Sequence, residues 1–266
     1  MKLAVLGCGK MTGAMLRRWL DTASLPADSV RAVTRSRSSA DRVAAEFGVQ
    51  ASTDACEAIR WADLVLLGIK PQQVGDVLPG WADHVPPGQV WLSVLAGTTT
   101  ARLQALLGPH AAVVRLMPNT PVRLGLGATA VVWPTALAAA SRAQIQELLR
   151  VLGEVIALRE DRIDAFTAIA GSGPAYVFLF IEALSAAAEA LGFSASEAQQ
   201  MAVGVVRGAS QMATEDPRSA AALRAEVTSP GGMTQAAIAE FEARGWPAVV
   251  ADATQAAVAR ARELAS

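Results

Sequence analysis

The chain has 266 residues, 52% of them hydrophobic and 18% charged, which suits one large domain or two smaller ones with packed cores. Its net charge of −1 and scattered basic residues argue against nucleic acid as a partner, and the breakers within its apolar runs argue against a membrane span. Cys8 and Cys56 are too few for a disulfide framework or zinc site, and the first apolar run is too short for a signal peptide, so we expect a cytoplasmic protein without a metal.

The first twenty residues have the pattern of a dinucleotide-binding turn. Residues 2–6 form a strand-length apolar run, a glycine turn begins at Gly7, and a helical pattern follows from residue 14. The G-x-G-x-x-G spacing is met by Gly7 and Gly9, but Thr12 stands at the third place, with Gly13 one residue later. The context of strand, turn and helix predicts a bound dinucleotide, with looser helix–strand packing at Thr12.

The second predicted strand, residues 30–34, indicates which dinucleotide. NAD sites usually have an acidic residue at this strand end, whereas NADP sites have arginine and hydroxyl side chains. Here the strand is followed by Arg35-Ser36-Arg37-Ser38-Ser39 and no acid. We therefore favour NADP(H), with NAD(H) as the alternative.

Strands and helices continue to alternate as far as residue 159. A short segment lies near Val49, and longer strands are predicted at 63–69, 90–95, 112–116, 128–133 and 155–158. Lys70 follows the first of these, at an edge where ligands of open sheets bind. The alternation predicts an α/β fold: a Rossmann-like, mostly parallel, doubly wound domain over residues 1–160.

From residue 161 onward the pattern is helical. We predict an all-helical domain over residues 161–266, with helices at 161–170, 174–191, 195–214, 218–226, 233–243 and 246–264. Several of these helices are apolar on more than one face. We therefore expect this part to bury surface against a second copy of itself.

Two glycine-rich stops interrupt these helices. At Gly171-Ser172-Gly173-Pro174 we expect one helix to end and another to begin, because proline is favoured at the first helical position. A second stop spans residues 227–234. Free N–H groups at such helix starts would bind a small carboxylate, although a tight joint between helices is the alternative interpretation.

The residues missing from the helical part limit its chemistry. Beyond His110 there is no His, Lys or Cys, so the acid/base partner that hydroxyacid dehydrogenases need is absent. Tyr176 lacks the lysine of the Tyr-x-x-x-Lys arrangement. What remains is a hydride acceptor that carries its own proton, a protonated C=N bond, which a carboxylate such as Glu160 could stabilise.

Several motifs together resemble the pyrroline-5-carboxylate reductase family. They are Gly171-Ser172-Gly173-Pro174-Ala175-Tyr176, Thr228-Ser229-Pro230-Gly231-Gly232-x-Thr234, Lys70-Pro71-Gln72, Ala96-Gly97, Arg115-x-Met117-Pro118-Asn119-Thr120-Pro121 and Glu182-Ala183-Leu184. The resemblance implies NAD(P)H-dependent reduction of 1-pyrroline-5-carboxylate, a cyclic imino acid, to L-proline. It also implies a homodimer, with dimers assembled into larger rings such as a decamer.

The resemblance also assigns roles to individual residues. Cofactor contacts fall on Leu6, Gly7, Cys8, Gly9, Lys10, Met11, Thr34, Arg35, Gly68, Ile69, Lys70, Pro71, Val94, Leu95 and Ala96. Its substrate contacts fall on Glu160, Thr167 and the loop ending Met233-Thr234. From the two glycine stops themselves we expect substrate binding also at Gly171, Gly173, Gly231 and Gly232, and we assign the reaction to the hydroxyls of Thr167, Ser172 and Thr234.

Four positions depart from the family pattern: Thr12, Ala55, Ala186 and Met233. Met233 replaces a small residue or threonine in the substrate loop and would reshape the pocket. A paralogue acting on another cyclic imino acid is therefore one alternative. A dimer that binds the cofactor without turnover is the other.

Overall fold

The computed structural model describes residues 1–265, and side chains up to residue 263. Its strands are β1 Leu3–Leu6, β2 Val30–Val33, β3 Gln50–Ser52, β4 Leu64–Leu67, β5 Val90–Ser93, β6 Ala112–Pro118, β7 Gly127–Val132 and β8 Gly153–Ala157. Its helices are α1 Lys10–Asp21, α2 Arg37–Phe47, α3 Ala55–Trp61, α4 Val74–Val77, α5 Thr100–Leu107, α6 Ala139–Arg150, α7 Ile163–Phe166, α8 Gly173–Ala190, α9 Ala195–Glu215, α10 Ala220–Glu226, α11 Met233–Ala243 and α12 Trp246–Ala265.

Among the described residues the strands form one sheet in the order β3-β2-β1-β4-β5-β6-β7-β8. All neighbouring strands are parallel except β6 and β7, which are antiparallel. From β1 the chain first winds toward β3 and then, from β4 onward, toward β8. The order therefore reverses between β1 and β4, the position where doubly wound sheets bind ligands. The predicted Rossmann-like architecture is confirmed.

Both faces of the sheet are covered by apolar side chains, which is why the central strands are continuous apolar runs rather than alternating ones. One face has a core around Trp19, whose indole N–H donates to the carbonyl of Leu148 at 2.7 Å. The opposite face has a core around Trp91, whose indole N–H donates to Gln89 at 3.1 Å. Each large aromatic side chain thus has its polar atom satisfied within the core.

By its internal contacts the chain forms two compact units. One contains Met1–Ser172 together with the C-terminal stretch from Val258, and the other contains Gly173–Ala257. As expected, the described residues after β8 form helices joined by loops, with no further strand. Within the second unit α8 and α9 pack together, and Trp246 lies with its ring centroid 5.8 Å from that of Phe241.

The second unit leaves an apolar surface uncovered. None of the residues of α8, all of which are described, is buried, and Phe178 and Leu179 are 60% and 66% exposed. The stretch Glu160–Ala190 is also long and apolar enough to cross a bilayer by length and composition alone. The expectation of no membrane span therefore stays a prediction. An exposed apolar surface of this kind is typical of a surface that is buried against a partner.

Candidate functional site

The glycine turn lies at the reversal point of the sheet. Gly7 follows β1 with a φ of 88°, and a Cβ at this position would lie 2.8 Å from the backbone of Gly68, which follows β4. Gly9 is exposed, and a Cβ there would meet no atom within 4 Å. Gly7 is thus required by the fold itself, whereas Gly9 leaves open space at the start of α1, where a pyrophosphate could approach the backbone.

Thr12 does not loosen the turn, contrary to the sequence expectation. Its hydroxyl donates to the carbonyl of Gly7 at 2.8 Å and accepts the N–H of Gly9 at 2.9 Å. Its side chain is 2% exposed, and its methyl group lies 2.2 Å from the position that a Cβ on Gly68 would occupy. Threonine at this position closes the turn by hydrogen bonds and packs against the glycine of the neighbouring strand, so the third glycine is not needed here.

The residues assigned to the cofactor follow the carboxyl ends of four adjacent strands. The end of β1 and the start of α1 supply Leu6, Gly7, Cys8, Gly9, Lys10 and Met11. After β2 come Thr34 and Arg35, after β4 come Gly68, Ile69, Lys70 and Pro71, and after β5 come Val94, Leu95 and Ala96. Because β2, β1, β4 and β5 are neighbours in the sheet, these segments share one edge. Lys70 is exposed at this edge.

The turn between β2 and α2 carries hydroxyl and guanidinium groups. Thr34 donates its hydroxyl to the carbonyl of Ser36 at 3.1 Å, and the Ser36 hydroxyl caps α2 by accepting the N–H of Ser39 at 3.3 Å. Arg35 is exposed, and Arg37 forms an exposed 3.0 Å ion pair with Asp41 on the same helix. The sequence supplies no acidic residue at the strand end, so this turn suits a phosphate better than a bare ribose hydroxyl pair.

Glu160 forms a polar centre with Arg115 and Thr100. One carboxylate oxygen accepts the backbone N–H of Thr100 at 2.8 Å and the Arg115 guanidinium at 2.9 Å, and the other accepts the Thr100 hydroxyl at 2.6 Å. Thr100 is the first residue of α5, where a carboxylate satisfies a free helix N–H. Burial alone would raise the pKa of Glu160, but the hydrogen bonds from Thr100 and the charge of Arg115 outweigh it and lower that pKa.

A helix ends at Gly171 and α8 begins at Gly173, close to the break that the sequence predicted, but the last turn before the break is not α-helical. A π-helical turn spans Thr167–Gly171, so that the N–H of Ser172 donates to the carbonyl of Thr167, five residues earlier, at 2.9 Å. The Thr167 hydroxyl donates to the carbonyl of Ile163 at 2.7 Å. A Cβ on Gly171 would lie 3.2 Å from the Thr167 methyl group, which favours glycine there. The segment is therefore a widened helical turn, a feature often found at functional sites, rather than an open helix start.

The second glycine stop is a helix start, as expected. Gly231 has a φ of 69°, and α11 begins at Met233. The N–H of Gly231 donates to the side-chain oxygen of Gln235 at 2.6 Å, and that of Gly232 to the carbonyl of Ser229 at 3.0 Å. Both glycine N–H groups thus have internal acceptors. Met233 is 92% exposed within the described residues, and Thr234 is also exposed.

Three residues of this region were given no functional role from the sequence: Thr100, Arg115 and Asn119. Arg115 interrupts the apolar run of β6 yet is 4% exposed, so a buried partner was to be expected for it. Asn119 follows the same strand and is 8% exposed, with its amide bonded at both ends. A charged side chain inside an apolar strand is the sequence signal that could have identified Arg115, and an amide directly after the same strand is the weaker signal for Asn119.

Two models of known protein families match separate parts of the chain. Residues 160–264 match a family model described as pyrroline-5-carboxylate reductase dimerisation, and residues 2–97 match one described as NADP oxidoreductase, coenzyme F420-dependent. The first match supports self-association of the chain.

Individual relatives match over the whole chain. A pyrroline-5-carboxylate reductase of Pseudomonas aeruginosa is 38% identical over 99% of this chain and 97% of its own length. Among solved structures, a pyrroline-5-carboxylate reductase of Coxiella burnetii has a TM-score of 0.93 and 32% identity, covering 100% of this chain and 98% of its own. The Plasmodium falciparum pyrroline carboxylate reductase with NADP bound has the same fold, with a TM-score of 0.88, 23% identity, and coverage of 100% and 98%.

Proposed function

The chain belongs to the pyrroline-5-carboxylate reductase family, and we propose that it reduces the C=N bond of 1-pyrroline-5-carboxylate to form L-proline, the last step of proline biosynthesis. The observation that carries the proposal is the 38% identity with the Pseudomonas aeruginosa reductase over 99% of the chain. The P. falciparum relative binds NADP, and the N-terminal family model is that of an NADP oxidoreductase. This is therefore an NADP-dependent oxidoreductase acting on a C=N group.

The carboxyl edge of the sheet fits the cofactor. Gly9 leaves open space before the N-terminus of α1, where a pyrophosphate would bind. Thr34, Arg35 and the serines of the β2–α2 turn would hold a 2′-phosphate. When bound, the reduced nicotinamide supplies the hydride.

The chain's own residues bind and orient the substrate. We propose that the hydroxyls of Thr167, Ser172 and Thr234 accept from the protonated ring nitrogen or donate to the carboxylate. The backbone would come close to the substrate at four glycines that lack a side chain: Gly171, Gly173, Gly231 and Gly232. At the second stop the glycine N–H groups are bonded internally, so the N–H groups of Met233 and Thr234 are the donors that suit a carboxylate. No side chain has to supply a proton, because the iminium already carries one.

Self-association would cover the apolar residues of the second unit. We propose a homodimer through the helices from α8 onward, with a decamer as the larger assembly. Both cysteines are free thiols, which is compatible with the reducing cytoplasm that we propose for this enzyme. Burial, with Glu46 nearby, raises the pKa of Cys8 to about 11, so this thiol in the cofactor turn stays protonated. Analytical ultracentrifugation tests the assembly: a monomer at micromolar concentration would contradict it.

The activity is tested by following NADPH absorbance with 1-pyrroline-5-carboxylate and with its six-membered analogue. Thr234→Val should lower the rate of oxidation by at least about tenfold. Thr228→Val is the matched control in the same loop, because the Thr228 hydroxyl is turned back onto the carbonyl of Arg224 at 2.6 Å. Equal loss in both variants would contradict a role for Thr234 in the reaction.

The cofactor assignment has a separate test. Replacing Arg35 and Arg37 with alanine should raise KM for NADPH more than KM for NADH, since only NADPH carries the 2′-phosphate. Arg150→Ala on α6 is the control, because its 2.5 Å ion pair with Glu147 is exposed and distant in sequence from the turn. An equal change for both cofactors would refute the 2′-phosphate role.

Two alternatives remain distinct outcomes of these assays. A preference for the six-membered analogue would support a paralogue, and Met233→Thr should then shift the preference toward the five-membered ring. Tight NADPH binding without oxidation by either substrate would indicate a non-catalytic dimer.

A further inference from the structure

The widened turn lies beside a proline that removes a backbone donor. In a regular α-helix the carbonyl of Ala170 would accept the N–H of residue 174, but Pro174 has none. The carbonyl of Ala170 instead accepts the side-chain N–H of Asn119 at 2.9 Å. A side chain far away in the sequence thus replaces the donor that the helix lacks.

The other end of the Asn119 amide is also fixed. Its oxygen accepts the backbone N–H of Ala128, next to the start of β7, at 2.9 Å. With a donor bond on one side and an acceptor bond on the other, only one orientation of the amide satisfies both neighbours. Asn119 is 8% exposed, and it is the single asparagine of the chain.

Strand β6 therefore holds this helical segment at two points. Arg115, within the strand, bonds to Glu160 at the beginning of the segment, and Asn119, just after the strand, bonds to Ala170 inside the π-helical turn. Thr167 begins this turn and Ser172 follows it directly, so the turn positions both hydroxyl side chains. Loss of the Asn119 donor therefore acts directly on the backbone of that turn, while loss of its acceptor acts on Ala128.

We propose that Asn119 is a positioning residue for the reduction: its amide completes the backbone of the Thr167–Gly171 turn and so fixes where Thr167 and Ser172 meet the substrate. The inference rests on the proposed function for its catalytic consequence, but not for its effect on the turn. Asn119 touches neither substrate nor cofactor in this role. It acts through Ala170.

The main test compares two buried amides. Asn119→Asp keeps the acceptor for Ala128 but loses the donor to Ala170. The matched control is Gln89→Glu on the opposite part of the sheet, where the Gln89 amide, 4% exposed, donates to the carbonyls of Ile59 and Ala62, both at 2.7 Å. Both changes turn a buried amide into a carboxyl facing carbonyl oxygens, so both lower stability.

Only Asn119→Asp should affect the reaction. We expect its kcat for 1-pyrroline-5-carboxylate to fall between about 10-fold and 100-fold with KM for NADPH within about twofold, since a small displacement of a positioning group affects the reaction more than cofactor binding. Gln89→Glu should keep kcat within about twofold. A kcat that is unchanged in Asn119→Asp, or reduced equally in both variants, would overturn the inference.

A rescue experiment covers the case in which loss of Asn119 damages folding. Pro174→Ala restores a backbone N–H that can donate to the Ala170 carbonyl. The double variant Asn119→Ala, Pro174→Ala should therefore have a kcat at least about tenfold higher than that of the single variant Asn119→Ala. Absence of any regain would count against the inference.

Hydrogen exchange separates this inference from the proposed function. The Ser172 amide, bonded to the carbonyl of Thr167, should exchange faster in Asn119→Asp than in wild type, and at the wild-type rate in Gln89→Glu. If the wild-type chain fails to reduce 1-pyrroline-5-carboxylate, the proposed function fails, while this exchange still decides whether Asn119 holds the turn. Unchanged exchange at Ser172 would overturn the inference whatever the activity.

Discussion

The pair between Arg115 and Glu160 allows a quantitative stability prediction. In Glu160→Ala the Arg115 guanidinium, whose side chain is 5% exposed, loses its carboxylate, and Thr100 loses the acceptor of both its N–H and its hydroxyl. Breaking a buried ion pair by removing one partner costs about 3–5 kcal/mol. Because the Glu160 side chain is 29% exposed, water can partly replace the carboxylate, and we expect a loss of about 3 kcal/mol.

Glu147→Ala is the matched control for this change. Glu147 also pairs with an arginine, Arg150, at 2.5 Å, but these side chains are 70% and 67% exposed. An exposed pair contributes less than about 1 kcal/mol. The two variants thus remove the same side chain and the same kind of ion pair, and differ in burial.

Urea unfolding at one fixed protein concentration measures the difference, since self-association makes the apparent stability concentration-dependent. Exchange of the Thr100 amide gives a local readout, because the Glu160 carboxylate is its acceptor. The reasoning is refuted if both variants lose the same free energy of unfolding, or if Thr100 exchange is unchanged in Glu160→Ala.

Three further predictions follow from single residues. The pKa of Glu160 is lowered below its ordinary value of 4.5, so its contribution to stability is present above that pH and lost as the pH falls through the lowered pKa. Glu160→Gln should therefore differ from wild type in urea at pH 7, and the difference should shrink as the pH is lowered below 4.5; a constant difference would contradict this. Gly7→Ala should lower the free energy of unfolding by about 2–4 kcal/mol, because the added Cβ would clash with the backbone of Gly68 and the φ of residue 7 is positive. Gly9→Ala should change the free energy of unfolding by less than about 1 kcal/mol but weaken NADPH binding in a titration. Thr129, 1% exposed, has a hydroxyl without a partner among residues 1–265, so Thr129→Val should leave thermal stability equal or higher, and a marked drop in Tm would mean that the hydroxyl is satisfied.

Much of the architecture could be predicted from local pattern. Strands of the first half are apolar runs because both faces of the sheet are covered, and the helices after residue 160 follow the 3.6-residue period. The glycine turn after β1 was predictable because only glycine accepts a φ of 88° against the backbone of Gly68. The start of α11 after Gly231 was predictable for a similar reason.

The sequence by itself determined that a backbone donor is missing at Pro174 and that a charged residue, Arg115, interrupts the apolar run of β6, because proline chemistry and residue type are local properties. Only the tertiary structure decided how each was compensated. Asn119 reaches Ala170, and Glu160 reaches Arg115 and Thr100, across separations of 51, 45 and 60 residues. Local pattern therefore predicted the break between Gly171 and Gly173, but not the π-helical turn before it. The donor to the Ala170 carbonyl in that turn comes from Asn119, after the end of β6, and no neighbouring residue indicates it.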